Sequence, residues 1–424
     1  MFTGLLLLIL LTGLDHRFFG GESGLVSFSL AELVAYALVI LLFLDACARG
    51  RGHRSFVRSV LASANPFVLL YFAWALIAAS ANLAMGNRDA LHSLKDTVPA
   101  FAIFVGLALI AVDRHKLALA HRAVLVTLAL VSALAMSQYI FGGPYPTEVN
   151  PNAYLKVTLT GTSFVARPVV GTLGHPNGLA ELLAPLLVLC VGYVAHQRGR
   201  VAGIERVLFF GIIVFSAVAL ILTQAKAALA WAMVGIFLAI LFAWFRTPFS
   251  PRRALLIVSV LILAAIGGVS VLFLIASQLP ESLRPGTLAT RLLINYSALE
   301  EAWQSPGVLL FGGGLKLFGE SAAGATLKLG VHGEYLSAVL RFGLPGALLL
   351  FALLIACLRS QGRSAWIYSL PPIVLTLIYL LESAAGSQLQ SLPFLLCGFA
   401  EANRVVTVRE DSLVTIPQSP GIDV

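Results

Sequence analysis

Four basic residues stand where long apolar segments of the chain begin or end, and they are the first candidates for chemistry. Arg167 precedes one apolar segment, and Lys226 lies in the short turn "TQAKA" between two others. His332 and Arg341 flank the start of a further segment, which the proline and glycines of "RFGLPG" are expected to break. An ionisable side chain at the edge of apolar sequence usually faces water, a partner or an anion. Two plainer interpretations stay open: Lys226 as a snorkelling lysine, and Arg167 as an anchor for lipid phosphate.

The stretch "ARPVVGTLGHPNG", residues 166–178, predicts a break in regular backbone just before an apolar helix. Its prolines and glycines prevent helix and leave backbone N–H groups free near the helix start. A helix N-terminus beside an arginine favours an anion. We therefore predict one wall of an anion pocket here, with His175 and Asn177 as candidate contacts or as ordinary turn residues.

His332 is the candidate general base, because an imidazole can take a proton from an attacking hydroxyl near neutral pH. An ordinary loop histidine is the plainer alternative. Asp15 is the one other outward acid that could act as a base. The outward carboxylates are scattered and no DxD pair occurs, so neither a metal nor another cofactor is expected.

The elements that must position these residues are membrane helices. The chain has 424 residues, of which 59% are hydrophobic and 11% charged, far fewer charges than a soluble domain carries. We expect an all-α polytopic membrane protein with about 12 spans. The segments are 2–14, 25–44, 65–84, 98–112, 122–141, 178–195, 207–222, 225–245, 254–277, 334–357, 366–386 and 388–400.

Lysine and arginine placement predicts the orientation. Alternate short loops are arginine-rich, as in "RGRGHRSFVR", which puts both termini in the cytoplasm by the positive-inside rule. The net charge of +8 thus reflects topology, and nucleic acid is not an expected partner. The first segment lacks a basic n-region and a cleavage site, so we read it as a retained span rather than a signal peptide.

The predicted organisation is one transmembrane domain over residues 1–400, with a disordered cytoplasmic tail at 401–424. Two outward loops, about 142–171 and 278–333, exceed simple connections. The second contains "RLLINYSALEEAWQ", whose apolar residues recur at helical spacing after Arg291. Both long loops lie on the predicted outer face, so we expect the function to lie there too.

Three segments in order resemble the O-antigen ligase and polymerase superfamily. They are "RPVVGTLGHPNGLAELLAPL", "LILTQAKAALAWAMVGIFLAI" and "GVHGEYLSAVLRFGLPGALL", and together they cover roughly residues 160–360. The resemblance implies a GT-C-like, metal-independent, inverting glycosyltransferase of the Gram-negative inner membrane, working on the periplasmic side. Its implied donor is a glycan on undecaprenyl diphosphate, and its implied acceptor is lipid A-core or a lipid-linked glycan.

The resemblance also implies roles for individual residues. Arg167, Lys226 and Arg291 would bind the donor diphosphate, and His332 would be the base. Lys226 occupies a position usually held by arginine, which keeps the charge but loses the bidentate fork. Further departures are Gly333 in place of an asparagine, Arg341 where an acid is common, and His175 in place of an asparagine. Arg341 in place of an acid is expected to alter the acceptor side, and His175, Asn177 and Arg341 are candidate contacts to the acceptor or the donor.

Three functions remain to be separated. We favour a ligase that transfers glycan to lipid A-core, and a repeat-unit or exopolysaccharide polymerase is the alternative. A transporter is a third possibility, because twelve spans are also a common carrier layout. Carriers are often built from two similar halves with a midplane site, whereas the two halves of this chain differ and its polar candidates gather at one rim.

Overall fold

The computed structural model describes most of the helical core of the chain. The described residues are 2–11, 17–19, 28–48, 65–87, 89–110, 114–141, 155–159, 162–166, 169, 176–196, 203–245, 300, 302–313, 334–359, 372–373 and 391–414. Two predicted spans, 254–277 and most of 366–386, lie outside them. All structural statements below refer to the described residues.

The fold is almost entirely helical, which confirms the expected class in its coarse form. The helices are α1 (Phe2–Leu11), α2 (Leu30–Ala48), α3 (Pro66–Ala84), α4 (Asp89–Ile110), α5 (Arg114–Phe141), α6 (Pro176–His196), α7 (Gly203–Leu222), α8 (Lys226–Phe245), α9 (Pro306–Phe311), α10 (Glu334–Arg359) and α11 (Ser391–Val414). Except for the short α9, each overlaps a predicted span, and α4, α5 and α11 extend beyond theirs.

Two short strand pairs depart from the all-α expectation. β1 (Arg17–Phe19) pairs with β2 (Phe28–Ser29), and β3 (Leu155–Leu159) pairs with β4 (Thr162–Ala166), both antiparallel. The second pair is joined by only two residues, and its strands "LKVTL" and "TSFVA" contain β-branched residues. A short connection between β-branched segments favours a hairpin, a signal that the composition-based assignment overlooked.

Five described helices are long and apolar enough to cross a membrane. They are Pro66–Ala84, Arg114–Phe141, Pro176–Ala195, Gly203–Leu222 and Leu336–Cys357. Four shorter apolar stretches lie within α1, α2, α4 and α8. The chain is therefore a multi-pass membrane protein by the length and composition of its helices.

Contacts between distant residues fix the helix directions. His121 near the start of α5 stacks on Tyr193 near the end of α6, with ring centroids 4.4 Å apart. The indole Nε1 of Trp74 in α3 donates to the Phe342 carbonyl of α10 at 2.7 Å, and Asn65 lies beside Cys357. Both pairs, α5 with α6 and α3 with α10, are therefore antiparallel.

Short connections extend this alternation to the neighbouring helices. α3 turns into α4, α4 into α5, α6 into α7 and α7 into α8 across a few residues each. At one end of the helices, α3, α5 and α7 finish and α4, α6, α8 and α10 begin. We call this the upper end, and the opposite end the lower end. The fold thus brings four helix N-termini to the upper end.

α6 is a central helix, whereas α7 is peripheral. Of the most apolar stretch of α6, 78% is buried inside the protein, against 22% for α7. α6 packs against α5, α7 and α8, and α4 packs against α1, α2, α3, α5 and α11. Aromatic side chains of three helices meet on the α4 side, where Phe72 contacts Phe101 and Phe394 at centroid distances of 4.5 and 5.4 Å. A buried α6 fixes the position of its own N-terminus.

α11 corrects the expected disordered tail. The helix continues through Val414, and Glu401, Ala402 and Asn403 are buried. Glu401 accepts hydrogen bonds from Arg404, which lies in the next turn. The polar sequence therefore forms helix because the fold provides burial and an ion pair there. Residues 415–424 lie outside the described part.

Candidate functional site

The structure describes three of the seven predicted site residues. Asn177 and Arg341 are described with their side chains, and Lys226 by its backbone, as the first residue of α8. The other four, Arg167, His175, Arg291 and His332, lie outside the described residues. Their placement at the site therefore remains a prediction.

A tight turn between α7 and α8 positions Lys226 at the upper end. The Thr223 hydroxyl donates to the Leu220 carbonyl at 2.7 Å and accepts from the Ala225 N–H at 3.3 Å, so one side chain closes α7 and opens α8. Gln224 takes the left-handed conformation, with φ 57°, that the reversal requires. The sequence "TQAKA" thus starts a new helix at Lys226.

Val169 joins the predicted anion wall to this turn. Its N–H donates to the Leu222 carbonyl at 3.3 Å, and its side chain is fully buried. Leu222 is the last residue of α7, and Val169 follows Arg167 by two residues in sequence. Val169 and the end of α7, from which the "TQAKA" turn continues, therefore meet, although they are more than fifty residues apart in sequence.

The N-termini of α6 and α8 lie at nearly the same level. The two helices run parallel, because α7 reverses direction between them. A Cβ on Gly235 of α8 would lie 2.8 Å from Val188 Cγ2 of α6, which marks a close contact between the two helices. Val188 is 12 residues and Gly235 is 9 residues after the first residue of its helix, an offset of about 4–5 Å along the axes. Two positive helix ends are thereby placed side by side.

α10 is kinked at Gly343, as the sequence "RFGLPG" predicts. Gly343 has φ 73° and ψ 176° within the helix, and Pro345 follows with no N–H to donate. The kink frees backbone carbonyls that a regular helix would satisfy. The Trp74 indole binds the Phe342 carbonyl, and the Gly313 N–H binds the Leu340 carbonyl at 2.8 Å. Neighbouring elements thus donate hydrogen bonds to carbonyls that the broken helix leaves unpaired.

The segment after α9 fits closely against this kink. A Cβ on Gly312, which has φ 76°, would collide with the Arg341 backbone, and one on Gly343 would collide with the Leu310 carbonyl. Phe311 stacks on Trp74 with ring centroids 5.9 Å apart and planes 11° apart. The backbones of α9 and α10 therefore approach to a distance that only glycine permits.

Asn82 in the last turn of α3 and Asn87 in the α3–α4 connection hold the α9 segment from the other side. The Asn82 amide donates to the Phe311 carbonyl at 2.9 Å, and the Asn87 amide donates to the Gly313 carbonyl. Asn82 is 2% exposed within an apolar helix. Sequence reasoning missed both asparagines and Trp74. The signal that could have found Asn82 was an amide inside an apolar segment, since buried amides require partners.

Arg341 is the most unusual residue of the upper end. Its side chain is only 3% exposed, and its Nε and Nη1 atoms have no hydrogen-bond partner in the described structure. It lies two residues before the Gly343 kink. A buried guanidinium with two unpartnered nitrogens is unfavourable unless an acceptor reaches it.

A second buried cation at the upper end is neutralised. Lys95 Nζ lies 3.3 Å from Glu32 Oε1, and the two side chains are 10% and 13% exposed. This pair joins the first turn of α2 to the second turn of α4. The contrast with Arg341 shows that the fold supplies counter-charge for one buried cation of this end and leaves the other without one in the described part.

No group of three or more histidine, cysteine or acidic residues that could hold a metal ion occurs among the described side chains. No protein-family model matches the chain, and no curated protein matches it. The functional argument therefore rests on the residues and on their geometry.

Proposed function

We propose that the chain is an inner-membrane glycosyltransferase of the O-antigen ligase and polymerase type. It transfers a glycan from undecaprenyl diphosphate to an acceptor hydroxyl at the periplasmic face. The ligase reaction, with lipid A-core as acceptor, is favoured over repeat-unit polymerisation. The orientation of about 12 spans by the positive-inside rule makes the upper end periplasmic, and the GT-C-like architecture follows from the sequence resemblance.

One observation carries the proposal on the donor side. The hydrogen bond from Val169 to Leu222 joins the backbone beside Arg167 to the turn that begins α8 at Lys226. The parallel N-termini of α6 and α8 lie at the same level and add positive potential. Two cations and two helix N-termini suit a diphosphate, and Arg291 is a further ligand candidate from the long outward loop.

The proposed reaction is a displacement at the anomeric carbon. The acceptor oxygen forms a bond to the anomeric carbon, and the bond from that carbon to the phosphate oxygen breaks. The lipid diphosphate leaves with the electron pair, and His332 takes the acceptor proton. Cations beside the leaving diphosphate stabilise its developing charge. His175 and Asn177, at the start of α6, are candidate contacts to the donor.

The acceptor side is assigned to the start of α10. α10 begins at Glu334, two residues after His332 in sequence, and this supports the proposal of a base near the upper end. The kink at Gly343 and the segment after α9 form the described part of this region. Donor and acceptor would thus enter from different helices of one end.

The test is glycan transfer by purified protein in nanodiscs. The donor is an undecaprenyl-diphosphate-linked repeat unit, supplied with or without lipid A-core, and the products are sized on gels. Glycan on the core lipid alone is the expected ligase result, and longer lipid-linked chains without core would establish the polymerase. Arg167→Ala and His332→Ala should each lower the rate at least about 100-fold.

An exposed arginine of the lower end provides the matched control. Arg122 contacts Glu205 at 2.6 Å on the surface, far from the proposed site. Arg122→Ala should therefore retain the wild-type rate, since exposed ion pairs contribute little. Absence of both products with native donor and acceptor would refute the transferase.

A further inference from the structure

We propose that Arg341 binds an oxyanion of the acceptor saccharide, either a carboxylate or a phosphate, so that the acceptor class is an acidic glycan. This inference rests on the proposed function only where it identifies the ligand as the acceptor. The anion site itself rests on the described geometry around α10.

The Arg341 guanidinium is buried and lacks partners at two of its three nitrogens. The residue is 3% exposed, and its Nε and Nη1 atoms have no hydrogen-bond partner in the described structure. A planar guanidinium presents paired N–H groups that match the two oxygens of a carboxylate or phosphate. An unpaired buried charge destabilises the ligand-free protein, and an incoming oxyanion would remove that penalty.

The backbone around Arg341 is held on both sides by other elements. The Arg341 backbone is held between the Gly312 approach and the Gly343 kink, and the adjacent Leu340 and Phe342 carbonyls each accept a hydrogen bond from another element. Contacts among α3, α9 and α10 therefore fix the backbone position from which the Arg341 side chain extends. An anchored arginine with free N–H groups is preorganised for a ligand.

The Arg341 site is separate from the proposed donor diphosphate site. α10 packs against α3, α9 and α11, whereas the turn that ends at Lys226 packs with α6 and α7. Arg341 follows the proposed base, His332, by nine residues in sequence. This proximity in sequence favours the acceptor over the leaving diphosphate as the ligand of Arg341.

The experiment measures the apparent Tm of purified full-length protein in nanodiscs. The probes are D-glucuronate, D-glucose 6-phosphate and D-glucose, at constant ionic strength set with sodium chloride. D-Glucuronate or D-glucose 6-phosphate should raise the wild-type Tm in a saturable way, and D-glucose should not. The two charged probes distinguish a carboxylate source from a phosphate source.

The variants give the decisive comparison. Arg341→Met should raise the ligand-free Tm by a few degrees, because it removes an unpaired buried charge, and should abolish the response to both acids. Arg341→Lys keeps the charge without the fork and should weaken the response at least about 10-fold; it also serves if the methionine variant does not fold. Arg404→Met, which breaks the lower-end pair with Glu401, should keep the full response despite a lower Tm.

An equal response of wild type and Arg341→Met would overturn the inference, and so would the absence of any response in the wild type. The experiment measures binding of the probe and does not require glycan transfer. Failure of glycan transfer with an intact, Arg341-dependent response would refute the proposed function and leave the anion site standing.

Discussion

At the scale of single residues, the upper end depends on polar groups that satisfy a broken helix. The Phe342 carbonyl is freed by the kink and accepts from the Trp74 indole, which also stacks on Phe311. In the hydrocarbon core of a membrane, no water is present to donate a hydrogen bond to an unsatisfied carbonyl. Trp74 therefore has both a hydrogen-bonding and a packing role.

Trp74→Phe should destabilise the protein by about 1–3 kcal/mol, because the ring remains while the buried Phe342 carbonyl loses its donor. Thermal or denaturant unfolding in detergent measures the change. Trp303 is 71% exposed, so Trp303→Phe is the matched control and should have little effect. Equal behaviour of the two variants would show that the indole hydrogen bond contributes nothing.

Residue types could be predicted from the sequence more readily than their partners. Lys226 and Arg341 are identifiable because ionisable residues are rare beside apolar segments. The roles of Trp74 and Asn82 could not be predicted, because they depend on carbonyls of α9 and α10 more than 200 residues away in sequence. No local pattern carries such long-range pairing.

At the scale of elements, the kink of α10 and the end of α9 form one unit. The sequence "RFGLPG" predicted the break, since glycine and proline interrupt helices, and the structure confirms it at Gly343. The sequence did not predict that the backbone after α9 fills the space beside the kink. That contact depends on two glycines in different elements, Gly312 and Gly343.

Gly343→Ala should destabilise the protein by more than about 2 kcal/mol, because alanine disfavours a positive φ and its Cβ would collide with the Leu310 backbone. Gly211 in α7 is the control, since a Cβ there meets nothing within 4 Å. Gly211→Ala should leave the stability unchanged or raise it by about 0.5–1 kcal/mol. Apparent Tm values in detergent compare the two, and a tolerated Gly343→Ala would contradict the close approach.

At the scale of the whole molecule, helix positions were predictable and their arrangement was not. Apolar runs marked the segments that became α1 to α8, α10 and α11. Which helices pack together depends on side-chain fit, as where Gly235 admits Val188 between α8 and α6. The sequence therefore predicted a shared rim for the candidates, and the fold supplies four helix N-termini at that end.

Cysteine labelling tests the proposed orientation of this arrangement. Met85 lies in the α3–α4 turn of the upper end and is 60% exposed, and Lys116 is exposed at the lower end. In a background with the four native cysteines replaced, Met85→Cys should react with a membrane-impermeant maleimide in intact cells. Lys116→Cys should react only after lysis. The reverse pattern would place the upper end in the cytoplasm.

The most direct measurement of the central claim is donor binding by native mass spectrometry. Purified protein would be mixed with undecaprenyl diphosphate and with undecaprenol, which lacks the phosphates. We predict selective retention of the diphosphate, weakened at least about 10-fold by the double variant Arg167→Ala with Lys226→Ala, since each charge-assisted contact contributes about 1.5–3 kcal/mol. Equal retention of the two lipids, or an unchanged affinity in the double variant, would contradict a lipid-diphosphate site at the upper end.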